Sequence, residues 1–220
     1  MLLNRRNVLN LAAGGIATGL LVSNSIAGTA ARTKIKAIAF DGFTTFDSRP
    51  VFAVAEDLFP GKGADLSNTW RTRQFEYAWL RTLSNHYVDF WQITDEALVF
   101  AAKTLRLDLN PEKRQHLMQT YLELKAWPDA LSALRALKDA GMRMAFLSNF
   151  TTTMLDAAIK NSGLEDMFEP HLSTDRVRAY KPDPRAYQMG IDAFGLKHEE
   201  IAFAAFGGWD AAGAKWFGYP

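Results

Sequence analysis

Residues 35–52 read IKAIAFDGFTTFDSRPVF. From Ile35 to Phe40 the run lacks the polar alternation of a half-exposed strand, as expected for a strand buried on both faces of a parallel sheet. It breaks at Asp41, and a small residue, an aromatic, two threonines and Asp47 follow at once. In an open parallel sheet, ligands bind beyond the carboxyl ends of the strands. A carboxylate there is either a helix cap or part of a site, and the ends of the other strands decide between the two.

Outward from this strand, the character changes to long helical stretches between Arg49 and Trp127. Trp70, Gln74/Phe75, Tyr77/Ala78 and Leu80/Leu83 recur near helical spacing with charges between them. A helix start is expected at Thr94, with Asp95-Glu96 in its first turn. Asn110 is expected to cap another helix with Pro111 at its first position. After Pro128 strands and helices alternate: MRMAFLSN is a strand ending on Ser148-Asn149, FEPHLSTD holds a short one, and IAFAAFGG is the last. Such alternation argues for an α/β fold with a parallel sheet and right-handed crossovers. The helical block follows the first strand, so the expected division is a core of residues 32–49 and 127–220 with an inserted helical unit, residues 50–126.

The chain has 220 residues and a formal charge of +1, so no basic field favours nucleic acid. It contains no cysteine, which removes disulfides, thiol catalysis and cysteine-based zinc sites. His86, His116, His171 and His198 are too scattered for a metal cluster, and no metal or other cofactor is expected. Residues 1–31 carry Arg5 and Arg6, then an apolar, Gly/Ala/Ser-rich stretch, the pattern of a cleaved secretory signal. The NRRNVLNL start resembles a twin-arginine signal, implying export to the periplasm and no stable membrane insertion after cleavage.

The residues beyond the strand ends are Asp41 and Thr45, Ser148 and Asn149, Lys181, and the turn Gly207-Gly208-Trp209-Asp210. Two carboxylates, hydroxyls and an ammonium on one sheet edge favour a site over four separate caps. Asp47 reads as a turn residue, Arg73 as a solvated helix charge and Asp183 as a cap.

FDGFTT, FLSN, YKPDPRAY and WDAAGAKWFG resemble, in order and spacing, the four motifs of the haloacid dehalogenase superfamily. FPGKGADLSNTWRTRQFEYAWLRTL and YVDFWQ resemble the cap of its (S)-2-haloacid dehalogenases. The resemblance spans residues 34–220 and implies a Rossmann-like core with a helical cap. It also implies hydrolysis of short (S)-2-haloalkanoic acids to 2-hydroxy acids through an aspartyl ester. On that resemblance Asp41 is the nucleophile, and Thr45 and Ser148 donate hydrogen bonds to it or to the substrate carboxylate. Arg71 stabilises the departing halide, Lys181 holds Asp41 ionised, Tyr187 positions Lys181, and Asp210 orients or deprotonates water. Phe43, Phe90, Asn149 and Trp209 line the pocket, the partners are a small halocarboxylate and water, and a cap face containing Trp79 would support a homodimer.

The superfamily's phosphatases place an acid two residues after the nucleophile and a further carboxylate before the last one. Here those positions are Phe43 and Phe206, which argues for a carbon–halogen centre. AFGGWD also departs from the dehalogenase pattern, SSNAWD-like, so Ala205 and Gly207 lack groups to place water. The chain stops at Pro220, where the family continues into another strand, and an open sheet edge is expected. A phosphatase-like hydrolase, or a degenerate binder of small carboxylates, are the readings left open.

Overall fold

The computed structural model describes residues 34–220, so the expected signal segment lies outside the described residues. Four parallel strands form the sheet: β1 (Ala37–Phe40), β4 (Arg143–Ser148), β5 (Leu172–Ser173) and β6 (Ile201–Ala204), in the order β5-β4-β1-β6. β1 lies between β4 and β6, pairing Phe40 with Phe146 on one side and with Ala204 on the other. Its four residues are all buried, which is why the run carries no polar alternation. β6 and β5 are the edges of this sheet.

A single helical turn, α1 (Gly42–Thr45), leads into β2 (Phe46–Asp47). β2 pairs antiparallel with β3 (Lys125–Ala126), bringing together the points where the chain leaves the sheet region and returns to it. Four helices lie between them: α2 (Arg49–Leu58), α3 (Gly63–Leu83), α4 (Phe90–Thr104) and α5 (Pro111–Thr120). α3 buries Leu66, Ser67, Trp70, Gln74 and Ala78. Trp70 Nε1 donates to Thr94 O at 2.7 Å and Gln74 Nε2 to Thr94 Oγ1 at 2.6 Å, which ties α3 to α4.

Two helical expectations need correction. Leu80 and Leu83 are exposed, because the buried stripe of α3 follows Trp70, Gln74 and Ala78 and leaves these leucines on its far side. α4 begins at Phe90, not Thr94: the Asp89 side chain accepts from Gln92 N and caps the helix one turn earlier. Asn110 caps α5 as expected, accepting from Lys113 N at 2.9 Å. Of the remaining helices, α6 (Ala130–Asp139) and α7 (Thr152–Asn161) flank β4, and α8 (Pro184–Phe194) precedes β6. α9 (Gly208–Phe217) follows β6. No described helix is long and apolar enough to cross a membrane.

Candidate active site

Asp41 leaves β1 in an extended conformation and caps α1, its Oδ1 accepting from Phe43 N at 2.9 Å. Capping therefore occupies one oxygen. Oδ2 accepts from Lys181 Nζ at 2.7 Å, and the same ammonium donates to Asp210 Oδ2 at 2.6 Å. Lys181 is fully buried, while Asp41 and Asp210 are nearly so. Asp47 is outside this group and holds Arg49 through both carboxylate oxygens, as a turn residue should.

Lys181 is fixed from the end of β4. Its backbone N–H donates to Asn149 Oδ1 at 3.1 Å, and Asp183 caps α8 directly after it. Burial alone would lower the pKa of its ammonium, but Asp210 and Asp41 outweigh that and hold it above the ordinary lysine value. Asp210 is raised above the usual aspartate range, first by burial and further by the nearby Asp41, with Lys181 pulling the other way. Two buried acids share one base, so the second acid ionises at a cost.

Tyr187 does not position Lys181. Its hydroxyl donates to Asp210 Oδ1 at 2.7 Å, so it holds the second carboxylate, whose other oxygen Lys181 holds. Thr45 also departs from expectation. Among the described residues the donors to the Asp41 carboxylate are Phe43 N and Lys181 Nζ, and Thr45 does not line the cavity. It is buried within α1, where its carbonyl accepts from Trp127 N at 2.9 Å.

In front of the two carboxylates opens a cavity of about 290 Å³. Eight expected residues line it: Asp41, Phe43, Arg71, Phe90, Ser148, Asn149, Trp209 and Asp210. Lys181 and Tyr187 stand behind the carboxylates. Asn149 Nδ2 is buried without a hydrogen-bond partner, an amide donor left over after Oδ1 has accepted from Lys181. Ser148 Oγ accepts from Phe150 N, so its own proton is available to a ligand. Arg71 reaches the cavity from α3.

Four further residues line the cavity: Phe206 and Gly207, which the sequence placed at the end of the last strand without counting them as pocket lining, and Phe75 and Phe150, which sequence reasoning missed. Phe75 was legible, because it lies one helical turn from Arg71 and so on the same face. Trp79 is not on a free face: its ring packs 5.5 Å from Trp209 and 6.4 Å from Phe75. Arg73 is half-buried over the Phe100 ring at 4.0 Å and paired with Glu76, so its stem covers apolar surface.

A family model for haloacid dehalogenase-like hydrolases matches residues 18–218. The chain belongs to that family. It is 45% identical over 187 residues to the haloacetate dehalogenase H-2 of Moraxella sp. (strain B), covering 84% of each chain. It is 43% identical to the (S)-2-haloacid dehalogenase of Pseudomonas sp. (strain YL), covering 84% of this chain and 81% of that one. Its fold matches the L-2-haloacid dehalogenase of Xanthobacter autotrophicus with chloropropionic acid covalently bound. That match has a TM-score of 0.76 at 38% identity and covers 84% of this chain and 75% of that one.

Proposed function

We propose that this family member hydrolyses (S)-2-haloalkanoic acids, short ones included, to 2-hydroxy acids through an ester on Asp41. The observation that carries the reading is the Asp41–Lys181–Asp210 array opening on a cavity with an aromatic lining and donors across it. An Asp41 oxygen attacks the α-carbon from the side opposite the halogen, the carbon–halogen bond breaks, and halide leaves with inversion. Arg71 and the free amide of Asn149 supply donors for the substrate carboxylate and the departing halide. Water then attacks Cγ of the ester and gives a proton to Asp210, and the acyl carbon–oxygen bond breaks. The departing alkoxide takes that proton to leave as the 2-hydroxy acid, while the water's other proton passes to solvent and Asp41 returns to its carboxylate. Lys181 supplies the positive charge between the carboxylates throughout.

Phe43 and Phe206 favour this chemistry over phosphoryl transfer. Their rings lie 5.6 Å apart, where a phosphatase of this fold would need carboxylates. The arginine pair and apolar stretch of residues 1–31 support export to the periplasm, which fractionation of the producing cells checks. The function is tested with (S)-2-chloropropionate, following free chloride and protein mass together. Sustained chloride release with formation of (R)-lactate is expected. No chloride, but release of phosphate from a generic ester, would overturn the reading.

A further inference from the structure

The cavity has two chemically distinct sides. Asp41, Asp210, Arg71, Ser148 and Asn149 provide its polar groups, enough to engage a carboxylate, a halide and a water. Aromatic rings provide the rest, and Phe75 and Trp209 lie 5.2 Å apart as a continuous wall. A three-carbon haloacid has a single methyl group to set against such a wall. At about 290 Å³ the cavity is close to the lower bound of clefts that hold drug-sized ligands.

Two residues after β6 shape this side. Gly207 carries no side chain, and a Cβ there would lie 2.8 Å from Trp209 Nε1, so the indole rests directly against its backbone. Phe206 packs against the buried Phe43 yet remains 43% exposed, presenting an apolar face that no described residue covers fully. A substrate tail that covers this face gains free energy in proportion to the area removed from water.

We infer that Phe75, Phe206 and Trp209 form a side-chain subsite that extends the substrate range to four- to six-carbon and phenyl-substituted 2-haloacids, with Phe206 setting the preference. This rests on the dehalogenase reading. The polar groups keep the α-carbon at Asp41, and the tail runs from it along the rings.

The test is a series of kcat/KM values for (S)-2-chloropropionate, (S)-2-chlorobutyrate, (S)-2-chlorohexanoate and (S)-2-chloro-3-phenylpropionate, with Phe206→Ala and Phe206→Leu compared to the unaltered chain. The unaltered chain is expected to gain about three- to fourfold per added methylene, mainly through KM. Phe206→Ala is expected to lower the ratio of hexanoate to propionate values about tenfold, and Phe206→Leu to restore most of it. Values that fall with tail length, or a Phe206→Ala change equal for all acids, would overturn the inference while leaving the dehalogenase reading intact. No halide from any acid would overturn both.

Discussion

Lys181 Nζ lies 2.7 Å from Asp41 Oδ2 and 2.6 Å from Asp210 Oδ2, so one buried ammonium joins the two carboxylates assigned to the two halves of the reaction. Removing one member of a buried ionic set costs about 3–5 kcal/mol because the rest stay buried uncompensated. Lys181→Met is therefore expected to lose that much stability at pH 7, measured by urea unfolding. Asp210 has a raised pKa from burial, and the variant lacks the lysine that opposes the shift. A raised acid contributes stability fully below its unfolded value and loses it as pH rises through the folded one. The deficit of the variant should thus shrink as pH falls toward 4. In the unaltered chain the lysine is raised above 10.5, so its contribution is full below that pH and lost only at higher alkalinity.

Lys181 and Tyr187 hold Asp210 in place, but Ala205 and Gly207 offer no side-chain group beside it to place the attacking water. Ester hydrolysis should then be slower than alkylation. Rapid-quench chloride measurements are expected to show a burst of about one equivalent before the steady state. Tyr187→Phe should deepen the contrast, slowing the steady rate about 10- to 100-fold with the burst retained, since it removes only the support of Asp210. A burst lost in proportion to the steady rate would contradict that division of labour.

Arg71 lines the cavity from the edge of the buried stripe of α3, one turn from Ser67 and Gln74. Loss of such a donor costs about 10²–10³ in rate. Arg71→Ala is expected to lower kcat/KM by that factor. Arg71→Lys should recover little, because an ammonium lacks the planar fork of the guanidinium. Steady-state chloride release checks both.

Gly213 of α9 sits beneath Tyr187, and a Cβ there would meet Tyr187 OH at 2.5 Å and Pro182 Cβ at 2.6 Å. Gly213→Ala should destabilise by about 1–3 kcal/mol through overpacking. It should also slow ester hydrolysis by displacing the hydroxyl from Asp210, which thermal unfolding and single-turnover kinetics read separately.

Much of this was legible because strand ends in a parallel sheet converge whatever lies between them. Asp41, Ser148, Asn149 and Asp210 could be placed together from the apolar runs that precede them, and Lys181 from its position after the short strand that follows β4. What pairs with what was not legible. Tyr187 and Lys181 both reach Asp210 from neighbouring positions of the chain, and only geometry assigns the hydroxyl to Oδ1 and the ammonium to Oδ2. The aromatic wall was obscured for another reason. Phe75 could be reached only through its spacing from Arg71, and Phe150 belongs to an ordinary apolar pattern that only the approach of the helical segments to the sheet edge turns into cavity lining.

The central claim is that Asp41 carries the substrate as an ester. It is tested most directly by a single turnover of (S)-2-chloropropionate in H₂¹⁸O with enzyme in excess, followed by mass analysis of the peptide containing Asp41. Attack on the ester carbonyl predicts one ¹⁸O in the Asp41 carboxylate and none in the hydroxyl of the first lactate formed. Label in the lactate hydroxyl with Asp41 unlabelled would mean that water attacks the α-carbon directly, and would contradict the account.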